Sequence, residues 1–305
     1  MIVIEFKALE KADKPTFDKY FRARRYENAH FNFTNLYMWR KPYKTRWAEL
    51  DGVLYMVADW HGETFALQPF GSDEKMQSAI KTLLDWFDAN GLEFSIGGVE
   101  KFFVDELNRY PDAEFEVERV DYNFDYVYLA DELINLPGRK FHSKKNHLNA
   151  FRKSYPFAEY VPITREIIPQ CRAELENWYA LRSPELPDDP FLADEHNAII
   201  EVLDNFEDFA LKGGAIRLND RIIAFTFGEQ LNEDTAVIHV EKADPEIRGA
   251  YAAINQAFAA EAWSKMTYIN REEDMGLPNL RKAKESYKPV KLIDKFSARI
   301  KGGRR

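Results

Sequence analysis

Apolar and polar residues alternate through Val237-Ile238-His239-Val240-Glu241, and the alternation ends before Pro245. That is the pattern of a strand running into a turn. Past Arg248-Gly249-Ala250, residues Ala250, Ile254, Ala257, Phe258 and Glu261 recur at three- and four-residue spacing. This predicts a helix whose first, unpaired N–H groups lie at Gly249 and Ala250. Upstream, the periodicities predict a strand at 159–161, helices at 167–181 and 194–206, and a hairpin of strands 210–218 and 222–231 across Asn219-Asp220. Downstream they predict a strand at 266–270, a helix at 279–287 and a last strand at 290–296.

The first half repeats this pattern without repeating its sequence. A strand is expected at 3–9, short helices at 14–22 and 33–39, and a hairpin over 45–58 turning at Asp51-Gly52. Then come a strand at 64–68, a helix at 73–90 stopped by Gly91, a strand at 93–97, a helix at 101–109, and strands at 114–120 and 124–129. Two copies of one α+β topology fit this order better than one long sheet, with domains at 1–130 and 139–305 on either side of Leu136-Pro137-Gly138. The first copy has only Pro69-Phe70-Gly71-Ser72 where the second has its basic glycine turn, so a donor site is expected in the second alone.

A chain of 305 residues is long enough for two such cores, and 45% hydrophobic and 14% aromatic residues mark both as ordered. The net charge of −9 argues against broad binding of nucleic acid or anionic lipid, so any such contact must be local. A local exception exists. Residues 139–153 hold six lysines and arginines, two histidines and no acid, with Lys140, Lys144 and His147 spaced for one helix face. This stretch reads either as a phosphate contact or as a solvated basic helix. The single cysteine, Cys171, leaves no internal disulfide, and the dispersed histidines predict no metal site. No secretory signal and no apolar run long enough to span a bilayer is seen, so a cytoplasmic location is expected.

The order of elements resembles the GNAT acyltransferase fold, in which the turn after the fourth strand holds the pyrophosphate of coenzyme A. Here Tyr251 stands where those enzymes usually carry a second small residue. The strings KFHSKKNHLNAF at 140–151 and YINREEDMGLPNLRKAKESYKPVKL at 268–292 resemble more closely the bacterial family grouped with the C-terminal domain of phosphatidylglycerol lysyltransferase. The resemblance covers most of the chain. It implies tandem GNAT-like domains and, in characterised relatives, transfer of an aminoacyl group from a charged tRNA to a lipid head group. Leu280, Lys284 and Tyr287 also match the Leu-x-x-x-Lys-x-x-aromatic motif of Fem-type peptidyltransferases. By the GNAT likeness Tyr287 would protonate the departing thiolate, whereas by the Fem-type likeness Lys284 would neutralise phosphate or a developing oxyanion.

Acyl transfer needs a base, a donor for the leaving group and polarisation of the carbonyl. His239 and Glu241 share a strand face and form a plausible catalytic pair, although His239 reads more readily as a hydrogen-bonded core histidine, and Glu241 equally as a surface carboxylate paired with Lys242 or Arg248. Arg248, Gly249 and Ala250 would bind the donor's phosphate at the helix start, or would be an ordinary turn. Asn270, Arg271, Glu272 and Glu273 follow a strand end, where they would contact the acceptor or aminoacyl group or close the loop as an ion-pair cluster. Two classes of function follow. One is an aminoacyl or acyl transferase using aminoacyl-tRNA or acyl-CoA, with a lipid or small-molecule acceptor; the other is a noncatalytic protein that binds a phosphorylated ligand.

Overall fold

The computed structural model describes residues 4–182 and 190–302, and it divides them into two units. The expected strand at 3–9 shrinks to β1 (Lys7–Ala8), and Val3 lies outside the described residues. Helices α1 (Lys14–Phe21) and α2 (Phe33–Trp39) follow. The Asn32 side chain caps α2 by accepting from Asn35 N at 2.8 Å. Strands β2 (Arg46–Leu50), β3 (Val53–Trp60) and β4 (Glu63–Leu67) form a meander, and α3 (Met76–Ala89) crosses to β5 (Ser95–Val99). Helix α4 (Lys101–Arg109) and strand β6 (Phe115–Arg119) come next. Met76, Ile80, Leu83 and Phe87 recur on one face of α3, and that stripe is buried in this unit's core.

The second unit opens with β7 (Asp125–Leu129), α5 (Ala130–Asn135) and α6 (His142–Ser154). It continues through β8 (Glu159–Pro162), α7 (Ile168–Arg182), α8 (Pro190–Asp204), β9 (Lys212–Leu218), β10 (Arg221–Gln230) and β11 (Thr235–Ala243). Helix α9 (Ala250–Trp263), β12 (Tyr268–Asn270), α10 (Pro278–Glu285) and β13 (Lys291–Ile293) complete it, and β14 (Phe296–Ile300) returns to the first unit. The alanines of α9 let it pack closely, with Ala250, Ile254, Phe258 and Trp263 buried in this core. Gly228 sits where the β10–β11 register slips; a Cβ there would lie 2.1 Å from Val237 O, so only glycine fits.

Each unit is a seven-stranded mixed sheet flanked by helices, ordered β1-β2-β3-β4-β5-β14-β6 and β13-β7-β12-β11-β10-β9-β8. The α+β fold of two GNAT-like domains is therefore as expected, but the domain boundaries are not. The first unit is residues 1–124 with 293–305, and the second is 125–292. The stretch 124–129, read as the first domain's last strand, is β7, and it pairs antiparallel with β12 through Tyr268↔Leu129 and Asn270↔Val127. The stretch 290–296, read as one strand, is divided. β13 ends at Ile293, and β14 inserts between β5 and β6 in the first sheet. Pairing is set by backbone hydrogen bonds between residues far apart in sequence, which a proline-glycine punctuation mark does not report.

Because β14 is interior to its sheet, a chain ending at Leu292 would leave β5 and β6 without their common partner. We expect it to lose the first unit's cooperative unfolding, a cost on the order of a whole domain's 5–15 kcal/mol. Limited proteolysis should then release fragments from residues 1–124 while 125–292 resists.

Candidate functional site

In the second unit β11 and β12 are parallel neighbours only from Thr235↔Tyr268 to Val237↔Asn270. β12 then ends, while β11 runs on to Ala243, so the two strands part and the side chains between them must be satisfied by one another. Arg271, the first residue beyond β12, turns into this wedge, and its Nη2 donates to Glu241 Oε1 at 3.0 Å. Asn255 of α9 donates to the other oxygen, Glu241 Oε2, at 2.9 Å. The guanidinium lies 4.9 Å from the centre of the Tyr287 ring and 5.7 Å from that of Tyr128. Lys144 reaches in from α6, its Nζ 3.9 Å from the Tyr287 ring centre.

Several polar atoms here lack a protein partner. Arg271 Nη1 and Asn255 Oδ1 are buried with no hydrogen bond. Among the described residues Lys144 has no ion pair and the Tyr287 hydroxyl no hydrogen bond. Burial pushes the Lys144 ammonium down to about 8, helped by the positive charge of Arg271 and opposed by Glu241. Burial likewise pushes the Tyr287 phenol up, with Arg271 opposing and Glu241 adding to the rise, so it stays protonated at neutral pH.

The expected residues divide sharply. Glu241, Arg271, Tyr287 and Lys144 meet in the wedge. His239 is held elsewhere, with its Nδ1 2.9 Å from Glu272 Oε1 and its Nε2 3.1 Å from Glu229 Oε1. Burial alone would lower its pKa, but the two carboxylates outweigh that and raise it to about 9. With both ring nitrogens engaged by carboxylates, its surroundings are those of a hydrogen-bonded buried histidine and favour the charged form. Glu272 is taken up by this pairing, while Glu273 stays half-buried on the same turn. Asn270 donates to Asp125 Oδ2 at 3.1 Å and accepts from Glu272 N at 2.8 Å, tying β7 to the turn.

Lys284 does not face a ligand. It is buried, and its ammonium donates to the backbone carbonyls of Arg271 and Glu272, which carry the chain away from β12. Glu272 has φ of 58°, and the lysine stabilises that left-handed turn from below. Burial pushes Lys284 down to about 8, with Arg271 adding to the fall. The motif lysine thus positions Arg271.

The glycine turn is also not the open anion cradle expected. A Cβ on Gly249 would lie 2.6 Å from His147 O and 3.0 Å from Phe151 Cβ, so the glycine is there to admit helix α6. Ala250 is buried and Arg248 is exposed. Nor do Lys140, Lys144 and His147 share a face. Lys140 precedes α6 in a 3-10 turn and pairs with Glu132 at 2.5 Å, Lys144 points inward, and His147 is exposed. Sequence reasoning missed Asn255 and Tyr128. Asn255 carried a signal, as a polar residue on the inward face of an alanine-rich helix; Tyr128 carried none.

A mixed sheet flanked by helices, twice over, places the chain in the class of tandem GNAT-like folds. Residues 22–299 match the family described as phosphatidylglycerol lysyltransferase, C-terminal, and the chain belongs to that family. A conserved protein of unknown function from Bacteroides thetaiotaomicron is 35% identical, with a TM-score of 0.91 over 98% of this chain and 100% of that one. The L-PGS of Bacillus licheniformis shares the fold at 14% identity, with a TM-score of 0.61 over 86% of this chain and 85% of its own. An uncharacterized protein of Mycoplasmoides gallisepticum is 24% identical over 210 residues, 67% of each chain. No helix among the described residues is long and apolar enough to cross a membrane.

The His239 ion pairs give a pH signature. The folded pKa lies above the unfolded value of 6.5, so the stabilisation is fully present below about 6.5 and is lost as pH rises through about 9. The difference in unfolding free energy between wild type and His239→Gln should therefore shrink by on the order of 2 kcal/mol across that window. Urea titrations of both proteins at stepped pH measure it.

Proposed function

We propose that the second unit is an aminoacyltransferase site, which takes an aminoacyl ester of tRNA and passes the acyl group to a hydroxyl of a lipid head group or other small acceptor. The observation that carries this reading is the set of unpartnered polar atoms in the wedge: Arg271 Nη1, Asn255 Oδ1, the Tyr287 hydroxyl and the Lys144 amine. They match the demands of an aminoacyl ester group by group. Asn255 Oδ1 and Glu241 would accept from the α-ammonium, and Arg271 Nη1 would donate to the carbonyl oxygen as it gains charge.

Lys144, with a pKa of about 8, is in the range of a base at physiological pH. In its neutral form it would take the acceptor's proton as the acceptor oxygen bonds to the carbonyl carbon. The bond from that carbon to the ribose oxygen then breaks, and Tyr287 donates its proton to the leaving oxygen. Lys144, beside the Tyr287 ring, returns a proton to the phenol, which restores both groups and balances the exchange.

An acyl-CoA donor fits less well, since α6 lies against the helix start at Gly249 where pyrophosphate would need room. The name of the family, and that of its Bacillus licheniformis structural relative, L-PGS, support lysine as the acyl group and phosphatidylglycerol as the acceptor.

Purified protein should form aminoacyl-phosphatidylglycerol from lysyl-tRNA and should not acetylate amines with acetyl-CoA. Lys144→Met and Tyr287→Phe should each lower kcat about 10²–10⁴-fold with little change in donor KM. The wild-type rate should rise with pH toward about 8 as Lys144 loses its proton. Donor binding without transfer, for any aminoacyl-tRNA, would instead make the chain a noncatalytic ligand-binding protein.

A further inference from the structure

Exposed cations on this acidic molecule are usually neutralised locally. Lys7 pairs with Asp13, Lys81 with Asp85, Arg172 with Asp204 and Lys301 with Glu114. Exposed cations without an ion pair also occur singly elsewhere among the described residues, as at Arg165, Arg248 and Lys265, but on the outward side of α6 and its N-terminal approach several fall within one short stretch. Arg139, Lys145 and Lys153 are exposed and have no ion pair among the described residues, and Arg152 bonds only to the neutral Gln256 at 3.2 Å. Of the acids near α6 in sequence, Glu132 pairs with Lys140 and Glu159 with Arg217.

The helix ends in a tight turn in which Ala158 N donates to Tyr155 O at 3.0 Å, with Pro156 and Phe157 at its tip. Phe157 is 83% exposed, far more than the next large apolar residue, Tyr122 at 54%. A ring this exposed at the tip of a proline turn, a few residues from unneutralised cations, contributes little to the core.

We propose that α6 and this turn form a docking surface for an anionic lipid bilayer, with Phe157 entering the headgroup–acyl boundary and Lys145, Arg152 and Lys153 set against lipid phosphates. The charge complementarity is local, which fits a chain whose net charge of −9 would otherwise repel such a surface. The aromatic favours lipid over RNA. Stacking on bases uses successive exposed rings, whereas Tyr155, the other aromatic of the turn, packs on Phe151 with ring centres 5.2 Å apart. The inference does not depend on acyl transfer, because binding alone tests it.

The full chain should co-sediment with phosphatidylcholine vesicles containing phosphatidylglycerol and not with phosphatidylcholine alone. Added salt should release it. Phe157→Ser should weaken the partitioning about tenfold, and Lys145→Glu with Lys153→Glu by at least as much. Circular dichroism of these surface variants should match wild type. Equal binding to both vesicle types, no binding to either, or variants that partition like wild type would overturn the proposal. So would displacement of the protein from phosphatidylglycerol vesicles by uncharged tRNA at sites that Phe157→Ser leaves intact, which would make the surface an RNA contact.

Discussion

The second unit depends on how two parallel strands come apart. Where β11 and β12 stop pairing, the sheet would expose polar backbone and leave a void. Arg271 closes that gap by pairing with Glu241 across it. A buried ion pair of this kind contributes little net stability against an apolar filling, but loss of one partner strands the other charge, at about 3–5 kcal/mol. The neighbouring groups act to keep Arg271 in place. Lys284 grips the carbonyls of Arg271 and Glu272, Asn270 holds the Glu272 amide, and Tyr128 donates to Lys284 O at 2.9 Å. Several charges here are thus committed to geometry, while Arg271 Nη1 and Asn255 Oδ1 stay without a hydrogen bond.

The exchange of β7 and β14 between the tandem copies makes each unit discontinuous in sequence or dependent on a strand that precedes its own repeat. β7 also carries chemistry-bearing support into the second unit. Tyr128 flanks Arg271, and Asp125 receives Asn270. The strand borrowed from the end of the first copy is therefore part of the wall of the wedge, so the second unit cannot form its site from residues 139–305 alone.

Most helices and strands were legible in the amino-acid sequence because their periodicities are strong. The α3 stripe and the alternation of β11 both reappear in place. Partner choice was not legible, since β13 and β14 look like one apolar run until hydrogen bonding divides it at Asp294-Lys295. Within the candidate site, sequence spacing placed residues on shared faces without showing which neighbours each would meet. His239 and Glu241 sit two apart on one face, yet one meets carboxylates and the other meets Arg271 and Asn255. Lys284 was conspicuous as a motif lysine, whereas Lys144 was one cation in a basic run; burial reverses which of them is available to a ligand. Sequence spacing fixes a side chain's direction from its own element, and it carries no information about what comes to meet it.

Helix α6 brings these points together. Its backbone at His147 fills the approach to Gly249, its Phe151 and Leu148 join the core, its Lys144 reaches the Tyr287 ring, and its outer cations stand unneutralised. A glycine that would let a pyrophosphate approach in an acyl-CoA enzyme lets a helix approach instead. One helix thus lies against Gly249 and places Lys144 over the Tyr287 ring. The cost of desolvating that lysine is what moves it toward neutrality. Lys145, the next residue on the same helix, is exposed and forms no ion pair among the described residues. The two lysines are adjacent in the chain and differ in surroundings, because one helix presents one to the wedge and the other to solvent.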